Sequence, residues 1–128
     1  MAVEKRAKNR CEYCHAPQAA TGYRFHLDHV KPASQRGSNS AANRALSCAS
    51  CNLAKSNRTR VKDPLSLKIV RLFNPRKDDW GEHFRWAADT ITLLGRTPIG
   101  RAAVASLEMN TPLRLTARVY WVRLGLLP

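Results

Sequence analysis

The chain has 128 residues, 44% of them hydrophobic, which is enough for a core and argues against global disorder. Its 22 Lys and Arg against 9 Asp and Glu give a net charge of +13, which suits a polyanionic partner because neutralising phosphates releases counterions. No apolar run approaches the roughly 18 residues of a membrane span, and no leader pattern follows the basic stretch Met1 to Arg10, so a cytoplasmic protein without membrane contact is expected.

In chain order, residues 3–9 read as a short basic helix, and Cys11-Glu-Tyr-Cys14-His15 as a tight knuckle. Residues 23–27 have the aromatic content of a short strand. Residues 30–43, rich in Ser, Asn and Gly and opened by Pro32, read as a loop. Residues 44–47 read as a second strand, and residues 49–59 as a helix with Cys51, Asn52 and Lys55 on its first turns. Lys62-Asp63-Pro64 marks a joint, and the apolar residues 65–73 fit a helix or a strand. Asn74-Pro75 signals a turn, residues 79–85 a helical turn, and residues 84–94 a hairpin around Asp89. Thr97-Pro98 and Thr111-Pro112 each open a helix, with Thr as the cap and Pro at the first helical position. In the last helix Leu113, Ala117, Tyr120, Trp121 and Leu124 repeat at helical spacing, with Arg114 and Arg118 on another side. Charge is uneven: residues 1–62 hold twelve basic and three acidic side chains, residues 63–128 ten and six.

The four cysteines form two Cys-x2-Cys pairs, Cys11/Cys14 and Cys48/Cys51. Each such turn aims two thiolates at one metal, and two turns complete a tetrahedral four-thiolate Zn2+ site. The rival readings are weaker. Two disulfides suit a secreted chain, and a redox pair does not explain why two pairs coexist. Cys11-x2-Cys14-His15 fits the haem-attachment pattern but leaves Cys48 and Cys51 without a use.

Between the pairs lies Asp28-His29-Val30-Lys31-Pro32; Asn43 follows, and the second knuckle continues as Cys48-x2-Cys51-Asn52-x2-Lys55. Taken together, these motifs from Cys11 to Lys55 resemble the HNH endonuclease family in its four-cysteine form. The last motif position is often His in that family and here is Asn52. The resemblance implies a ββα-metal fold: a two-stranded hairpin with a long loop, packed on one helix. It also implies roles. His29 is the expected general base, since an imidazole can take a proton from water near neutral pH. Asp28 and Asn52 are the expected oxygen ligands of a catalytic divalent ion, Mg2+ or another such as Mn2+. Asn43 is expected to bond backbone and hold the loop. Lys55, Arg58 and His26 are weaker candidates for nucleic-acid contact.

Further on, Leu72-Phe73-Asn74-Pro75-Arg76, then Trp80-x2-His83-Phe84-x-Trp86 and Gly100-Arg101 resemble the tail of a subgroup of small bacterial HNH proteins. Trp80, Phe84 and Trp86 read as core aromatics and His83 as a packed or capping residue; Arg114, Arg118 and Arg123 are secondary candidates for phosphate contact. The expected architecture is α+β: a zinc-stapled ββα-metal motif over residues 1–62 and a mainly helical extension over 63–128 packing on it. The expected activity is hydrolysis of phosphodiester bonds in DNA, with RNA left open; recognition sequence, oligomeric state and pathway are not legible. The rival is a non-catalytic zinc-dependent nucleic-acid-binding module. It accounts for the charge and the cysteines but not for Asp28, His29 and Asn52 standing together.

Overall fold

The computed structural model describes residues 2–127. Its first half is a helix α1 (Ala2–Arg6), a one-turn helix α2 (Gln18–Thr21), strands β1 (His26–His29) and β2 (Arg44–Ser47), and helix α3 (Ala49–Lys55). Strands β1 and β2 pair antiparallel, with Asp28 opposite Ala45 and His29 opposite Arg44. The ββα order expected from the motifs is therefore present. The first strand starts later than its aromatic content suggests. Phe25 is in the core, and its amide is satisfied by the Gln18 side chain (2.7 Å) rather than by a ladder.

Helix α3 is shorter than expected. It ends at Lys55, because Ser56 takes a left-handed φ of 50° and the chain turns away. Strand β3 (Arg60–Lys62) follows and pairs with β4 (Ile69–Arg71). The joint expected at Lys62-Asp63-Pro64 is thus the turn of a hairpin. Asp63 anchors that turn: wholly buried, it accepts from the Leu65 and Ser66 amides and takes a two-pronged contact from Arg101 at 3.0 and 2.9 Å. The Arg101 guanidinium, set against the cost of burial, holds the Asp63 carboxyl well below the usual range.

The rest comprises α4 (Trp80–His83), the hairpin β5 (Phe84–Trp86) with β6 (Leu93–Gly95), α5 (Pro98–Ser106) and α6 (Pro112–Arg123). Both Thr-Pro starts hold: Thr97 caps the Gly100 amide and Thr111 caps the Arg114 amide. Helix α5 packs closely on α4, and a Cβ at Gly100 would lie 1.9 Å from the His83 carbonyl oxygen, so only glycine fits. One hydrophobic core runs through both halves, from Tyr13 and Leu46 to Phe73, Phe84, Leu93 and Leu107. Trp80 links the halves, donating from Nε1 to the Tyr13 carbonyl (2.9 Å) and stacking on His15 at 3.8 Å between centroids. His83 is packed as expected, bonded to Thr97 Oγ1 (2.6 Å) and edge-on to Phe73. Among the described residues, no helix is long and apolar enough to cross a membrane.

Helix α6 meets its expected facing only in part: Trp121 packs against the core and Ala117 is half-buried. Leu113, Tyr120 and Leu124 are exposed at 81%, 57% and 72%, while Arg118 is buried at 2%. The reason is a set of acceptors beneath it. Arg118 donates to the Ile91 and Met109 carbonyls and to Asn110 Oδ1, and lies 5.7 Å from the Trp86 ring centroid. The expectation that Arg114 and Arg118 reach phosphate is corrected by this inward course; Arg123 alone of the three is exposed.

Candidate nuclease site and its thiol clamp

Cys11, Cys14, Cys48 and Cys51 converge from two knuckles. All are buried, and their sulfurs lie within 4.8 Å of one another. Cys14 and Cys48 sulfurs are 3.7 Å apart, far beyond a disulfide bond of about 2.05 Å. A tetrahedral ion with metal–sulfur bonds of about 2.3 Å sets sulfurs about 3.8 Å apart, so the donor set fits a metal such as zinc. Each knuckle is closed by an amide donating to its first sulfur: Cys14 N to Cys11 (3.5 Å) and Cys51 N to Cys48 (3.4 Å). A further partner, unmarked by any motif, comes from α6. Arg114 places Nη2 3.1 Å from Cys51 Sγ and 3.8 Å from Cys48 Sγ, and is itself held by the Leu107 and Glu108 carbonyls.

The clamp fixes the neighbouring edge. Cys48 caps the helix that carries Asn52 and Lys55, and the first knuckle carries Tyr13, which faces β1. The Tyr13 hydroxyl donates to Asp28 Oδ2 (3.0 Å). Burial, reinforced by the Asp28 charge, pushes the phenol well above its usual range, so it remains a donor. Lys55, expected to face nucleic acid, is instead 2% exposed; its ammonium lies 3.1 Å from Asp28 Oδ2 and 3.1 Å from the His29 carbonyl oxygen. A buried ammonium needs such acceptors, and these two exhaust its position. Among the described residues, nothing donates to Asp28 Oδ1, and the Asn52 carboxamide makes no hydrogen bond. Asn52 stands one turn before Lys55 and shares its side of α3, which faces β1. Asp28 Oδ1 and the Asn52 amide oxygen are the atoms that could hold a hard cation, which prefers oxygen donors.

His29 closes β1 at the same edge. Its Nε2 is 2.7 Å from Asn39 Oδ1, and Arg44 Nη2 points at that oxygen from 3.5 Å. With Asn39 Oδ1 accepting, Nε2 is the donor, and among the described residues nothing bonds Nδ1. Asn39 lies in the expected loop, and no motif marks it; one asparagine among several in a polar stretch carries no distinguishing signal. Asn43 bridges the loop ends. Its Oδ1 accepts from the Lys31 amide (2.9 Å), and its Nδ2 donates to the Lys31 and Ser38 carbonyls (3.0 and 2.7 Å). A Cβ on Gly37 would lie 1.7 Å from the Lys31 carbonyl oxygen, so this closure depends on glycine. His26 and Arg58 are exposed, and Arg58 donates to the Ala54 and Ser106 carbonyls.

A closed thiol cluster and an open edge bearing Asp28, His29 and Asn52 thus lie on one two-stranded ribbon and its helix. No curated protein and no solved structure matches the chain. Residues 11–58 do match the family model described as HNH endonuclease, a span that begins at the first knuckle and takes in the whole β1–β2–α3 unit. That segment is similar to the HNH endonuclease family, and the match does not extend to residues 59–128.

Proposed function

We propose that the protein is a metal-dependent endonuclease hydrolysing phosphodiester bonds in DNA, with a structural Zn2+ in the thiol cluster. The observation that carries this reading is the open edge: among the described residues nothing bonds Asp28 Oδ1 or the Asn52 carboxamide, and the imidazole of His29, next to Asp28 in β1, is held at Nε2 by Asn39. A site serving only to bind has no need of a base with a free lone pair.

In this reading His29 Nδ1 takes a proton from a water molecule as the water oxygen bonds to phosphorus. The bond from phosphorus to the leaving sugar oxygen then breaks, and that oxygen gains a proton from solvent. Asn39 holds the imidazole through Nε2 while the proton arrives at Nδ1. Asp28 and Asn52 would hold a divalent ion, Mg2+ or Mn2+, which when bound neutralises charge on the phosphate and the departing oxygen. Tyr13 and Lys55 are positioning residues: together they fix the Asp28 carboxylate, and Lys55 ties it to the His29 backbone. Asn43 maintains the loop through Lys31 and Ser38.

The test is plasmid nicking by the purified chain with Mg2+ or Mn2+. His29→Ala is expected to abolish cleavage while leaving DNA binding and the melting temperature near wild type. Equal nicking by the two proteins would remove His29 as the base. Binding without cleavage by the wild type, across divalent ions, would favour the rival reading of a zinc-dependent binding module.

A further inference from the structure

Beside the open edge lies a cleft of about 610 Å3 whose far wall is not part of the family segment. Its near side is made by the ends of the loop, with Lys31 and Asn43, and by the end of α3, with Lys55 and Arg58. Its far side is residues 71–78, beyond the span matched to the family. Basic residues dominate the lining, but they differ in what they meet. Lys55 is taken up by Asp28, Arg76 by Glu12, and Arg71 by Asp78 with bonds of 2.6 and 2.8 Å. These three pairs stitch the walls in place. Lys31, Arg58 and Lys77 have no acidic partner among the described residues, and Lys31 and Lys77 are exposed.

Arg58 is also held in advance. Its guanidinium bridges the Ala54 carbonyl at the end of α3 and the Ser106 carbonyl of α5 (2.9 Å), so a ligand need not order it. The cleft thus presents three cations without an acidic partner among the described residues: Arg58, held by two carbonyls, and the exposed Lys31 and Lys77, in a lining that includes Val30, the neighbour of His29 in the chain.

We propose that this cleft holds the phosphate backbone of the substrate strand, with Lys31 and Lys77 gripping it from opposite walls and Arg58 at its floor. The segment 71–78 thereby becomes part of the substrate site. The inference rests on the nuclease reading for the identity of the ligand, but it is tested through binding rather than cleavage.

The experiment measures anisotropy of a fluorescein-labelled DNA duplex across a salt series with the full-length His29→Ala chain. Lys31→Ala and Lys77→Ala are added singly and together; both side chains are exposed and unbonded, so folding is undisturbed. Removing one lysine–phosphate pairing should lower the slope of log K against log salt by about 0.9, and affinity at about 0.1 M salt by about eightfold. Arg123→Ala on α6, away from the cleft, should change neither. If the wild type nicks plasmid but the two lysine variants bind with unchanged affinity and slope, the cleft is overturned and the nuclease reading stands. If the wild type fails to nick but the lysine variants lose affinity and slope, the cleft stands and the nuclease reading falls. Loss confined to Arg123→Ala, or no salt-dependent binding by the parent, also overturns the proposal.

Discussion

The thiol cluster and the open edge share two strands and a helix, yet they are built to opposite specifications. At the cluster every ligand atom is buried and directed at one point, with Arg114 closing the remaining side. At the edge, one oxygen of Asp28 is fixed from two sides while, among the described residues, nothing donates to the other, and His29 uses one ring nitrogen and leaves the second without a partner there. A closed sulfur set suits an ion that holds structure; an incomplete oxygen set suits one that must also meet substrate. Position in the sequence does not separate the two, since Cys51 and Asn52 are adjacent. Local saturation does.

The contrast can be broken most severely at the cluster. Structural zinc contributes folding free energy on the order of 10 kcal/mol in small domains. Cys48→Ser, or extraction of the metal with a strong chelator, should therefore abolish the cooperative melt and reduce bound zinc, read by thermal denaturation and metal analysis. A retained melt with unchanged zinc content would remove the cluster from the folding argument.

An intermediate effect is expected where the two sites meet. Lys55→Met leaves the Asp28 charge half buried without its ammonium, which should cost about 3 kcal/mol in denaturant unfolding. Cleavage should fall further than the decrease in stability explains, because the same ammonium fixes the His29 carbonyl. Full stability and full cleavage in this variant would show that the pair is incidental.

The smallest change sharpens the comparison from the side of α6. Four thiolates around a divalent ion leave an excess negative charge, and Arg114 is the cation that meets it. Arg114→Met should weaken zinc retention about tenfold in chelator competition, the scale typical of groups that support metal ligands. Cleavage measured at saturating zinc should be unchanged.

How much of this is legible in the sequence depends on the range of the interaction. The knuckles, the order of the ribbon and helix, the Thr caps of α5 and α6 and the hairpin around Asp89 rest on residues close in the chain and appear as expected, although β1 starts later and α3 ends earlier than read. Lys55 departs from its expected exposure because its burial depends on Asp28, 27 residues earlier, coming under α3. Arg114 and Arg118 depart for the same reason: what lies beneath α6 is set by the cysteines and by carbonyls of Ile91 and Met109, and helical periodicity registers none of them. Strand β3 is hidden because it is three residues long and its partners, Ile69 to Arg71, lie beyond the turn at Asp63. Tyr13 is in plain view inside the first knuckle, but a spacer position carries no mark of pointing at Asp28.

The contact between Arg114 and Cys51 spans 63 residues of chain. During synthesis the sulfurs therefore leave the ribosome long before the guanidinium that shields them. The last helix therefore completes the surroundings of the sulfurs only after both knuckles have been made.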